Sequence, residues 1–171
     1  MKRIVGFVIK TLFATMNKLK TISALILISI MLGGCPYESA VPIDEQSIKI
    51  NPMLLGTWQS EKSEKYIVTK GSNDYTYTIE EIAEDKKPVT YSAYLSLVGS
   101  DYFLNITTGQ SKFMFYKIVL DKMNKSIQLS SVTENIDETF KTSKELKAYF
   151  IKHKELSFFF EKEEIELTKQ K

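Results

Sequence analysis

The chain of 171 residues has a single cysteine, a single histidine and, at Arg3, a single arginine. Each scarcity excludes something. One cysteine permits no internal disulfide, so the fold must be held by its apolar core. One histidine and no second thiol exclude the common zinc ligand sets. Without arginine beyond Arg3, the chain lacks the planar fork that grips phosphate and carboxylate. Glycine is sparse as well, at seven residues, and no glycine-rich phosphate loop is present. The net charge of +2 hides an asymmetry: positions 1–34 carry five basic residues and no acid, which leaves 18 lysines against 21 acids in 35–171, a net of −3. That balance argues against nucleic acid as a partner.

What the N-terminal part does have is an address. The run from Ile22 to Leu32 is 11 residues long and broken only by two serines. It is shorter than the roughly 20 apolar residues needed to cross a bilayer. Lysines precede it and the small pair Gly33-Gly34 follows, the layout of a signal peptide. Leu32-Gly33-Gly34-Cys35 resembles the lipobox of bacterial lipoproteins. The resemblance implies cleavage before Cys35, a diacylglyceryl group on its thiol and acylation of the new amino terminus. Two or more acyl chains anchor stably where one does not. The alternative is a secreted protein with an incidental cysteine near its cleavage site. The stretch beginning at Met16 is already a complete signal, so Met16 is the expected start.

The expected organisation is therefore a signal over 1–34, a lipidated Cys35 with a flexible tether to 52, and a domain over 53–171. Three of the four prolines fall between Pro36 and Pro52. They favour an extended leash reaching about 50 Å, with "SIKI" as a possible edge strand.

After Asn51 the pattern turns to period two. Tyr75, Tyr77 and Ile79 alternate with polar residues, as do Val89, Tyr91, Ala93, Leu95 and Leu97. Such alternation, rich in aromatic and β-branched residues, predicts strands with one buried face. Strands are expected at 54–60, 64–70, 74–83, 88–99, 101–108, 112–122, 126–134 and 157–169. Turn residues fall at 71–74, 99–100, 108–110 and 124–125. Eight consecutive strands with tight turns predict a mainly β fold, an antiparallel up-and-down meander closing into a small barrel. One interruption is helical, over about 143–153. Thr142 and Glu145 have capping-box spacing, and Leu146, Tyr149, Phe150, His153 and Leu156 share a face. This helix is expected across a barrel mouth or along a seam, with a membrane-surface role as the alternative.

Gly56-Thr57-Trp58 opens the domain and resembles the Gly-x-Trp of lipocalin and calycin barrels. That family's pattern implies a backbone position of close approach at Gly56 and a plug for the barrel base at Trp58. Two departures stand out: the late arginine that packs on this tryptophan is missing, and the helix precedes the last strand.

Candidate chemistry is thin. His153 sits between two lysines with no partner for a metal site and no nucleophile motif for a triad, so it is read as lining the helix–barrel contact. The acids of Glu80–Asp85 and Glu161–Glu166 lack calcium-loop spacing and are read as solvated strand ends. No catalytic constellation, metal site or cofactor is expected. Aromatic weight remains. Phe113 and Phe115 face away from Met114 and Tyr116, and Phe159 from Phe158 and Phe160, so both faces carry bulk that something must cover. Two functions follow. The first is a membrane-anchored binding module for a small apolar or aromatic-compatible ligand, with Trp58, Tyr75, Tyr77 and Tyr91 as candidate contacts and the outer membrane as the expected location. The second is an accessory subunit docking on an envelope protein. If the tyrosines line an open pocket the first gains; if they close a packed core, the outer surface does.

Overall fold

The computed structural model describes residues 36–84, 86–107, 111–123 and 125–171. The expected signal, Cys35 and the turn at 108–110 lie outside the described residues. A two-residue strand β1 (Glu38–Ser39) is followed by β2 (Gly56–Ser60), β3 (Lys65–Lys70), β4 (Thr76–Ile82), β5 (Val89–Val98), β6 (Asp101–Thr107), β7 (Phe113–Asp121) and β8 (Ser126–Val132). Helix α1 (Ser143–His153) and β9 (Phe160–Lys169) complete the chain. Strands β2 to β9 pair antiparallel in sequence order, and β9 returns to β2 through Trp58 opposite Lys169 and Ser60 opposite Leu167. The eight strands thus form a closed barrel, the architecture that the alternation predicts.

Closure gives every strand an inside and an outside. Inside, Leu54, Trp58, Tyr77, Ala93, Leu95, Leu104, Ile118, Ile127 and Leu167 form one buried cluster. Outside, Val98 and Phe103 join Phe115, Val132, Leu146, Phe150 and Phe159 in a second. The aromatic bulk on both faces is accounted for by this double core. Helix α1 lies along the outer wall, with the Phe150 ring 5.6 Å from that of Phe103 and 5.4 Å from that of Phe115. The helix begins at the expected capping box: Thr142 Oγ1 accepts from the Glu145 N–H, and the Glu145 carboxylate accepts from the Thr142 N–H. Leu156, expected on its buried face, falls beyond the helix end and is 40% exposed. The chain turns there through bonds from Leu156 N to His153 O and Phe159 N to Leu156 O, which delays β9 to Phe160.

The segment read as a flexible tether is instead packed on the barrel. Tyr37 is buried, donates its N–H to Val132 O at 3.0 Å and its hydroxyl to Glu138 O at 3.1 Å. β1 pairs with β7 at Met114 and Phe113. Ile43 is fully buried, and its N–H donates to Asn105 Oδ1 at 2.9 Å. Asp44 accepts from the Tyr94 hydroxyl through its carbonyl at 2.9 Å and pairs with Lys147 at 2.5 Å. Ile48 and Ile50 then pack against the interior cluster, and Ile50 N donates to Asp74 O. The prolines set an extended path, as expected. The apolar side chains between them fasten that path to otherwise exposed outer-wall aromatics, each burial worth about 1.5–3 kcal/mol.

Candidate functional site

The antiparallel order defines two barrel ends. At one, the 3-10 turn Pro52–Leu54 leads into β2, and the β3–β4, β5–β6 and β7–β8 turns gather with the C-terminus. This end is plugged. Trp58 is 1% exposed and donates its indole N–H to Leu54 O at 2.9 Å. Tyr77 is equally buried, and its hydroxyl oxygen accepts from the Asn51 N–H at 2.6 Å. Lys169 Nζ stands 5.0 Å from the Trp58 ring centroid and donates to Met53 O at 2.8 Å. Lys169 thus sets a cation over the Trp58 ring and ties the C-terminal strand to the turn before β2. Gly56 has φ 127°, a backbone conformation that favours glycine, and a Cβ there would stand 3.0 Å from Lys169 Cε.

The opposite end collects the turns after β2, β4 and β6 and the long β8–β9 connection. Here the interior-facing side chains are only partly buried: Tyr66, Ile79, Glu81, Tyr91, Ile106, Met114, Tyr116, Leu129, Ser131 and Ile165. Partial exposure of these residues brings water to this end, the cup. Its polar groups converge. Tyr91 donates its hydroxyl to Glu81 Oε2 at 2.9 Å, and Tyr66 donates to Glu64 Oε2 at 3.1 Å. Glu64 is held in turn by Ser60, whose Oγ accepts from the Glu64 N–H at 3.1 Å. Burial pushes the Tyr91 hydroxyl up to about 12, helped by its bond to Glu81 and that carboxylate's charge. Tyr66 is raised by burial first and then by the charges of Glu81 and Glu64. Tyr116 is raised by burial, with Ser131 pulling the other way. Tyr66 and Tyr91 stay protonated and act as donors to these carboxylates. Among the described residues neither Glu64 nor Glu81 has an ion-pair partner. This end thus sets the apolar side chains of Ile79, Ile106 and Leu129 in the same barrel mouth as two carboxylates, which favour a donor or cationic group.

The four residues singled out from sequence do not meet. Trp58 and Tyr77 belong to the plug, Tyr75 lies in the turn before β4 at the same end, and Tyr91 alone stands in the cup. Tyr66, Tyr116, Glu64 and Glu81 were missed. The register that places Tyr66 opposite Glu81 and Ile79 opposite Tyr91 brings them together, and no local spacing signals it. His153 bonds through Nδ1 to Tyr149 O at 2.9 Å and stacks at 4.1 Å on the Tyr149 ring, a helix-terminal contact.

A second concavity of about 410 Å³ lies outside the barrel, between the N-terminal wrap and the chain after β8. Tyr37, Ile136 and Phe140 give it an apolar floor, and Glu38, Glu134, Asp137 and Glu138 an acidic rim. Among the described residues no group of three His, Cys, Asp or Glu side chains is placed to hold a metal ion. No helix there is long and apolar enough to cross a membrane. No family model, no curated protein and no solved structure matches this chain.

Proposed function

We propose that this is an envelope lipoprotein, anchored through Cys35 in the outer membrane, whose barrel binds a small amphiphile in its open end without chemical conversion. The observation that supports the reading is the half-exposed interior of that end, where apolar walls stand beside hydroxyl donors and two carboxylates that, among the described residues, lack cationic partners. A ligand with an apolar or aromatic body and a protonated amine or other donor head is the chemistry that matches it. The plugged end adds depth control, since Trp58 and Tyr77 leave the ligand no path through.

The test is calorimetric titration of the purified lipidated protein with single-tailed amphiphiles that differ only in head group. Amine heads should bind about tenfold tighter than carboxylate heads, a difference of about 1.4 kcal/mol. Glu81→Gln should abolish that preference, and Tyr91→Phe should weaken it. Absence of binding across the series, or binding indifferent to both substitutions, refutes the reading. One observation favours the accessory-subunit alternative: Ile151, Leu156 and Phe158 are 52%, 40% and 56% exposed within eight residues of chain. A stoichiometric protein retained in mild detergent, and lost on Phe158→Asp, would favour it.

A further inference from the structure

We infer that the barrel is held with its open end against the surface of the bilayer in which Cys35 is anchored. The inference rests on the lipid-anchor reading of Cys35 and adds the orientation, which that reading leaves free. The reason is the absence of slack. Tyr37 is the second residue after Cys35. It is fixed by its N–H bond to Val132 O, its hydroxyl bond to Glu138 O and its ring 6.1 Å from that of Phe115. Two Cα–Cα steps of about 3.8 Å separate the lipidated residue from this fixed point. A free leash running the whole way to Pro52 would have reached about 50 Å.

The fixed point is also at a defined end of the barrel. Val132 closes β8, and β1 pairs with Met114 and Phe113 at the start of β7, both at the open end. From there the chain runs along the outer wall past Asn105 and Tyr94, and reaches the plugged end only at Ile50 and Asn51. A strand of seven residues such as β4, rising about 3.3 Å per residue and tilted about 40°, separates the two ends by about 18 Å. The anchor therefore draws the open end to the headgroups and leaves the plugged end pointing away. The rim nearest the anchor carries Glu38, Glu134, Asp137 and Glu138, with Lys112 paired to Glu38. Contact with the bilayer is thus imposed by the anchor and not by attraction to anionic lipid, so it should be indifferent to salt.

The test uses the full-length lipidated protein in phosphatidylcholine vesicles containing a headgroup-labelled acceptor lipid. A single donor fluorophore is placed through Lys62→Cys or Lys87→Cys at the open end, or through Ser72→Cys or Met123→Cys at the plugged end. Energy transfer should be at least twofold greater from Lys62→Cys and Lys87→Cys than from the other pair, in low and high salt alike. Inserting a flexible Gly/Ser linker of about fifteen residues between Cys35 and Pro36 should erase the difference. Equal transfer from both ends without the linker, or greater transfer from the plugged end, overturns the inference while leaving the anchor reading intact. Intact mass identifies the other failure: an unmodified Cys35 overturns the anchor reading, and the orientation with it.

Discussion

Asn105 is the residue on which the N-terminal wrap turns. It is fully buried on the outer face of β6. Its Oδ1 accepts from the Ile43 N–H at 2.9 Å, while its Nδ2 donates to Ser96 Oγ at 2.9 Å and to Tyr94 O at 3.4 Å. Asn105→Ala strands the Ile43 N–H inside the protein without an acceptor. An unsatisfied buried donor costs about 1–3 kcal/mol, and the lost bonds to Ser96 and Tyr94 add about 1 kcal/mol. The expected loss is about 3 kcal/mol, or roughly 10 °C in Tm for a domain of this size. Urea melts followed by the fluorescence of Trp58, the only tryptophan, give the magnitude. Limited proteolysis gives the location, since cleavage should appear first between Asp44 and Ile50 as the wrap detaches. Asn105→Asp keeps the acceptor for Ile43 but loses both donated bonds and buries a charge. It should be destabilised at neutral pH and recover partly on acidification, when the protonated carboxyl can donate again. If Asn105→Ala melts within about 0.5 kcal/mol of the parent, the wrap is held by something other than this bond.

Two further outcomes are expected. Phe150→Ala removes a fully buried ring that touches Phe103, Phe115 and Phe159, and should cost about 3–5 kcal/mol. Ile151→Ala, one position along the same helix and 52% exposed, should stay within about 0.5 kcal/mol in the same urea melts. Burial raises the hydroxyls of Tyr66, Tyr77, Tyr91, Tyr94 and Tyr116 in the folded state. A raised folded pKa contributes stability that is complete below the unfolded value near 10 and is lost as pH climbs through the folded values. Denaturant midpoints should therefore fall steeply above about pH 10, less steeply in Tyr91→Phe. A midpoint that stays flat to pH 11.5 would show that these hydroxyls ionise as easily folded as unfolded.

Local chemistry was enough to read much of this molecule. Alternation of Tyr, Val and Leu with polar residues located the eight barrel strands, because a half-buried strand imposes period two wherever it lies. Thr142 and Glu145 located the helix start for a similar reason, since a capping box closes within a single turn. Gly56 and Trp58 stood out in the sequence, whereas Lys169, which covers the Trp58 ring from the far end of the chain, did not.

Tertiary structure alone decided which of the aromatics meet. Tyr77 and Tyr91 share one face of the sheet, and period two says no more than that. The position of each along the barrel axis depends on cross-strand register, which sends Tyr77 to the plug beside Asn51 and Tyr91 to the cup beside Glu81. The wrap was hidden for a different reason. Its apolar residues, Tyr37, Val41, Ile43, Ile48 and Ile50, sustain no period across the segment, because they fit a wall built from residues far along the chain, Asn105 and Val132 among them. Local patterns in the chain were enough for a barrel and a helix; that residues 37–50 lie on the barrel wall was settled by packing, where Tyr37 finds Val132 and Glu138.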